Sequence, residues 1–197
     1  MYSVKKVDHK ITDMKDSAWD LAEVALVAVD NWGKNEYTPK MTARVLYSEY
    51  GIHVKMTTDE DNLVATYRNQ NSDVCLDSCM EFFFRANEND PHYFNFEFNP
   101  FGTMYISTRT SRAGFHFPDV DKRFFGVESS VEPEEWSVMF SVPFDFIDKE
   151  HGGHTKKMYG NFYKCGGTRK HYLTYYPVTS ATPDFHRPEC FGEFELE

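Results

Sequence analysis

Long apolar runs are missing from this sequence. Nothing in it approaches the roughly 18 consecutive apolar residues that cross a bilayer, so no membrane-spanning helix and no membrane partner are expected. The first fifteen residues are polar, with Lys5, Lys6, Asp8, Lys10 and Asp13, and lack the apolar core of a secretory signal. As written, the chain is expected to be cytoplasmic, or extracellular if it is a processed or excised domain. Cysteine is scarce as well. Four, at positions 75, 79, 165 and 190, are too few for a disulfide scaffold in 197 residues, and no Asn-x-Ser/Thr acceptor occurs. Both point to a reduced, unglycosylated setting.

Positive charge is the minority sign, with 21 basic against 31 acidic residues and a formal charge of -10. Such a surface repels phosphate backbones, which argues against nucleic acid and favours a neutral or cationic partner. There is no Cys-x-x-Cys or His-Glu-x-x-His spacing, nucleophile elbow, phosphate loop or dinucleotide fingerprint. Cys75 and Cys79 on one strand would stand about 13 Å apart, too far to share a metal. His151, His154, His171 and His186 read as surface or capping residues.

Aromatics are plentiful, at 17% with 18 Phe and 12 Tyr, and 197 residues leave interior enough for a real core. Residues 41–50 and 52–58 read as a hairpin about a Tyr-Gly turn, and residues 59–73 as an acidic, amide-rich surface loop. Residues 20–30 suit a helix or a buried strand equally. Residues 79–110 form a three-strand meander, because turn signals at 87–91 and 99–102 divide it. In its middle strand Phe94, Phe96 and Phe98 alternate with Asn95, Glu97 and Asn99. Trp136, Val138, Phe140 and Val142 share one side of a later strand, and a helical turn is expected over 144–147 after Pro143. With no linker or repeat, residues 1–197 read as a single all-β domain. The expected architecture is a two-sheet antiparallel β-sandwich, jelly-roll-like, with short helical turns.

A hairpin loop symmetric about residue 89 sets Glu81 opposite Glu97, Phe83 opposite Asn95 and Cys79 opposite Asn99; the next turn brings Tyr105 beside Glu97 and Ser107 beside Asn95. Two carboxylates facing across neighbouring strands repel and need compensation. Arg109 or Arg112, a calcium ion, or hydroxyls of a ligand would each supply it. Sugars are neutral and rich in hydroxyls, with apolar faces. Glu81, Asn95, Glu97 and Asn99 would meet the hydroxyls, and Tyr105 with the Tyr-rich run at 172–176 would supply flat aromatic surface.

Three groups of residues resemble a known family. They are Asp77-Ser78-Cys79-Met80-Glu81-Phe82-Phe83 with Tyr93-Phe94-Asn95-Phe96-Glu97-Phe98-Asn99 and Gly102; Trp136-Ser-Val, Val142-Pro143 and Gly160-Asn161-Phe162-Tyr163-Lys164-Cys165-Gly166; and Pro183-Asp184-Phe185-His186-Arg187-Pro188-Glu189 with Phe191-Gly192. Together they resemble the family 9 carbohydrate-binding modules, in particular stand-alone bacterial relatives. The resemblance implies a β-sandwich that often carries calcium. It also implies a slot where two aromatic walls grip a terminal sugar and the carboxylate matching Glu81 binds its hydroxyls. One wall aligns with Tyr175. The other aligns with Cys75, which cannot stack, so Trp32 or Tyr105 would have to rebuild it.

The expectation is therefore a non-catalytic binder of a sugar end. Its residues are Glu81, Glu97, Asn99 and Arg109 for hydroxyls, with Tyr105 and Tyr175 as aromatic surface and Asn161 and His171 from nearby loops. A glycoside hydrolase working beside it is a natural partner. Two alternatives stay open: an intracellular glycoside-acting enzyme using the Glu81/Glu97 pair, and a structural or interaction sandwich that has lost its ligand.

Overall fold

A computed structural model describes residues 1–197. In chain order the strands are β1 (Tyr2–Lys6), β2 (Ala25–Val27), β3 (Met41–Ser48), β4 (Gly51–Thr58), β5 (Cys79–Arg85), β6 (Tyr93–Phe98) and β7 (Met104–Arg109). They continue with β8 (Phe115–His116), β9 (Glu128–Val131), β10 (Trp136–Pro143), β11 (Lys157–Cys165), β12 (Tyr172–Thr174) and β13 (Gly192–Leu196). The helix α1 (Phe144–His151) follows Pro143, and three short 3-10 turns complete the elements.

The strands form two layers. One runs β8-β7-β6-β5-β11-β13 with β12 on β11, and the other β3-β4-β10-β9 with β2 on β3. β1 joins them, its first half pairing with β13 and its second half with β3. Both of those pairings are parallel, so the sheet is mixed at this one strand, while the other pairings are antiparallel as expected. The 41–58 hairpin and the 79–110 meander form as read, and residues 20–30 divide between the end of a 3-10 turn and β2.

Alternation along each strand sends one face inward. Phe82, Phe84, Phe94, Phe96 and Phe98 from the first layer meet Trp136, Val138 and Phe140 from the second. Phe140 lies 5.0 Å from Phe96 and 4.8 Å from Phe98, ring centre to ring centre, and these contacts hold the layers together.

The opposite face of β5, β6 and β11 departs from a solvated polar surface. Phe83, Tyr93, Tyr163 and Cys165 point outward there and join Val74, Val178, Phe185 and Phe191 in a second, smaller apolar cluster. The segments around 74–76 and 178–191 therefore roof this face. Glu81, Asn95, Glu97 and Asn99 are buried beneath them.

Candidate functional site

The register about residue 89 is the one observed: Glu81 pairs with Glu97, Phe83 with Asn95, Glu97 with Tyr105 and Asn95 with Ser107. Glu81 and Glu97 are only 3% and 7% exposed, yet both line a cavity of about 250 Å³ left between the roofing segments. Its other lining includes Tyr172, Phe185, Phe83, Arg112, Asp184 and His186, with Cys75 and Leu76 from the 3-10 turn Val74–Leu76.

The aromatic wall is built from Tyr172 and Phe185, whose ring centres are 6.2 Å apart. Trp32 packs against both, and its indole N–H donates to the Ser180 carbonyl at 2.9 Å. Trp32 thus backs the wall. Phe185 also stacks on Tyr163 at 4.3 Å. His186 lies over Phe83, hydrogen-bonds the Tyr93 hydroxyl at 3.0 Å and is pushed down to about 3 by burial and by Arg109 and Arg112. It is neutral at physiological pH.

The carboxylates differ in their support. Glu97 accepts from Asn95 Nδ2 at 3.0 Å, while Asn95 Oδ1 accepts from Ser107 Oγ and Arg109 Nε. Burial raises the Glu97 carboxyl, and Asn95 and Arg109 oppose the rise. Glu81 has one partner, the Cys165 thiol, which donates to Oε1 at 2.9 Å. Burial, with the neighbouring Cys165 and Glu97, raises Glu81 well above the usual carboxylate range. Asp184 is half-buried, and Arg112 at 2.6 Å and Arg187 at 2.8 Å outweigh its partial desolvation and hold its carboxyl low.

Several expected site residues stand elsewhere. Tyr175 packs on Tyr2, Phe162 and Tyr176, beside the core between the layers. Parity explains the correction. On β12, Leu173 faces that core and Tyr172 the cavity, so the aromatic surface of the 172–176 run is offered three residues early. Asn99 donates to Asp77 Oδ2 and the Tyr67 carbonyl and braces the loop behind the cavity. Asn161 exchanges both amide hydrogen bonds with the Tyr176 backbone. Arg109 holds Tyr105, Asn95 and the Arg112 carbonyl, so it and Tyr105 support the carboxylates from the side.

His171 borders an adjoining cavity of about 160 Å³ that shares Cys75, Leu76, Cys165 and Tyr172 with the first. Its Nε2 faces Lys164 Nζ at 3.0 Å, and Lys164 forms a fully buried ion pair with Glu60 at 2.8 Å. Sequence reasoning missed Tyr172, Phe185, Arg112, Asp184 and His186 as a set. Its available signal was the segment 183–189, which carries the last block of the family resemblance.

Calcium takes six to eight oxygen donors. The group of three or more His, Cys, Asp or Glu side chains whose ligand atoms converge is Cys79, Glu81 and Cys165, two sulfurs and one carboxylate. That donor set does not suit calcium.

The family model described as carbohydrate-binding family 9 matches residues 13–196. Among solved structures, a Bacteroides uniformis protein to which carbohydrate binding has been attributed is 26% identical, with a TM-score of 0.86 over 99% of this chain and 98% of its own. A family 9 carbohydrate-binding module from Caldicellulosiruptor kristjanssonii, solved with glucose, is 13% identical, with a TM-score of 0.68 over 99% of this chain and 95% of its own. The same organism's module solved with cellotriose is 13% identical, with a TM-score of 0.70 over 100% of this chain and 93% of its own. No curated protein matches the sequence. A β-sandwich that matches the family model over nearly its whole length, and carries a cavity between roofing loops, belongs to carbohydrate-binding family 9.

Proposed function

We propose that the cavity beside Glu81 binds the end of a neutral sugar without chemical turnover. The observation that carries this reading is a buried carboxylate with a single thiol partner, opening into a small cavity walled by Tyr172 and Phe185. A buried polar group so poorly satisfied is costly unless a ligand completes its hydrogen bonds. Glu81 and Glu97 meet hydroxyls, the Arg112–Asp184 pair offers a donor and acceptors at the rim, and the aromatic wall takes the apolar face of the ring. At about 250 Å³ the cavity sits below the roughly 300–1,000 Å³ of drug-sized sites, which favours one ring over a chain lying flat. The glucose and cellotriose in the Caldicellulosiruptor structures make these two sugars the natural probes. Such a binder fits beside a glycoside hydrolase that needs to be held near its substrate.

Calorimetry with glucose and cellotriose, preceded by a glycan array, tests the reading. Glu81→Gln is expected to weaken binding up to roughly tenfold, the scale of one buried hydrogen bond. Tyr172→Ala should cost about three- to tenfold through lost ring contact. Chromogenic glycosides should be left uncleaved. Silence across the array, or affinities that ignore both substitutions, would remove the cavity from the account.

A further inference from the structure

Sulfur lies at the cavity as well as carboxylate. Cys79 on β5 and Cys165 on β11 are direct partners across the antiparallel pair, and Glu81 follows Cys79 by two residues on the same face. One ligand atom from each residue lies within 4.8 Å of the other two. All three residues are buried, and Glu81 and Cys165 line the cavity. The hydrogen bonds they make leave donor capacity over: Glu81 is met by Cys165 Sγ, and Cys79 Sγ makes a long 3.9 Å contact to the Met80 carbonyl.

We propose that Cys79, Glu81 and Cys165 bind a thiophilic divalent cation of the zinc type. Zinc takes thiolate sulfur at about 2.3 Å and carboxylate oxygen at about 2.0–2.2 Å, which puts tetrahedral donors about 3.4–3.8 Å apart. The 4.8 Å limit on the present group lies about 1 Å above that spacing. Two sulfurs select zinc over calcium or magnesium, which prefer oxygen. Binding displaces the two thiol protons and the proton that burial keeps on Glu81, all three passing to solvent, so the dication meets three anionic donors. Arg112, which also lines the cavity, and Arg109 beyond Glu97 accommodate the remaining negative charge. Three protein ligands beside a cavity leave a fourth position for water or a hydroxyl, the pattern of open zinc sites. The two cysteines stand 86 positions apart in the chain, so no local spacing motif announces them. This site does not depend on the sugar reading.

The test uses the full chain, reduced and stripped with EDTA, titrated anaerobically with Co²⁺ alone and then with Zn²⁺. An equimolar amount of cobalt is expected to give a thiolate-to-cobalt charge-transfer band that zinc abolishes, and zinc should raise the thermal midpoint. Cys79→Ser and Cys165→Ser should each lose most of the band, whereas Cys75→Ser and Cys190→Ser keep it. Because buried serines can unfold the protein, Glu81→Gln serves as the near-isosteric variant: it retains both thiols, and cobalt affinity should fall at least tenfold. The proposal is overturned if the reduced wild type gives no band, if Cys165→Ser keeps it, if Cys75→Ser loses it, or if Glu81→Gln binds cobalt unchanged. Sugar calorimetry in EDTA keeps the two readings apart: sugar binding without a cobalt band removes the metal site alone, and a band without sugar binding removes the sugar site alone.

Discussion

Glu81 illustrates how one buried side chain couples function to stability. Burial, Cys165 and Glu97 hold its carboxyl well above the ordinary 4.5, so the folded state keeps a proton that the unfolded chain releases. The contribution to stability is full below about pH 4.5 and is lost as pH rises through the raised value. Denaturant unfolding at a series of pH values should therefore show the wild type losing stability across that window relative to Glu81→Gln, which has no carboxyl to ionise. Parallel profiles would contradict the assignment. The tyrosines of the 172–176 run separate in the same way. Tyr175→Ala should cost about 2–4 kcal/mol of stability by emptying space beside the core, while the sugar affinity of the folded protein stays unchanged. Tyr172→Ala should do the reverse. The acidic pair was legible because a carboxylate on an otherwise aromatic strand stands out and a side chain keeps its face through any even shift of register. Tyr172 and Tyr175 could not be ranked by type, since a difference of three positions changes the face.

At the scale of elements, the site is braced by a turn outside the lining of the larger cavity. After β11 the chain reverses at Gly166, with φ of 83°, and Gly167 N–H donates to the Asp77 carbonyl at 3.0 Å. A Cβ on Gly166 would fall 1.7 Å from that same carbonyl oxygen. Asp77 in turn accepts from the Thr66 and Tyr67 amides and from Asn99 Nδ2, so this turn ties the 59–73 loop to the start of β5. Gly166→Ala should destabilise the fold by about 2 kcal/mol or more and loosen the wall that carries Cys75 and Leu76, with a matching loss of sugar affinity. Denaturant titration checks the first effect, and an unchanged midpoint would show that the turn is not the clamp. The meander itself was legible, since turn residues at 87–91 located the hairpin centre and hence the β5–β6 pairings from Met80 to Phe84, whereas the pairing of β5 with β11 is set by chain distant in sequence. The roof was not. Segments 74–76 and 178–191 cover it through contacts distant in sequence, which alternation within a strand cannot reveal, and so a face read as open proves buried.

Across the whole molecule, three buried histidines, in addition to His186 at the cavity, make the fold sensitive to acid in one direction. His53 sits between Ser48 Oγ at 2.9 Å and Ser141 Oγ at 2.7 Å in the β3-β4-β10 layer. His151 ends α1, stacks on Phe94 at 3.8 Å and has neither ring nitrogen partnered. His171 is held by Lys164 and the Arg169 carbonyl beside the cavity. Burial, foremost, pushes all three down to about 4 from 6.5. A lowered folded value means the stability is present above pH 6.5 and is lost as pH falls through about 4, on the order of 3 kcal/mol for each group. Against a typical domain stability of about 5–15 kcal/mol, the three together are enough to unfold the chain cooperatively in that window. His151 isolates the effect. Its unpartnered imidazole faces Asp90, His92 and His116, and no hydrogen bond is lost if a similar apolar side chain replaces it. His151→Leu should therefore hold its stability at neutral pH and shift the acid transition, followed by tryptophan fluorescence and circular dichroism, to lower pH. An unmoved transition would place the acid sensitivity elsewhere, because the charge acquired by that ring would then cost the folded state nothing.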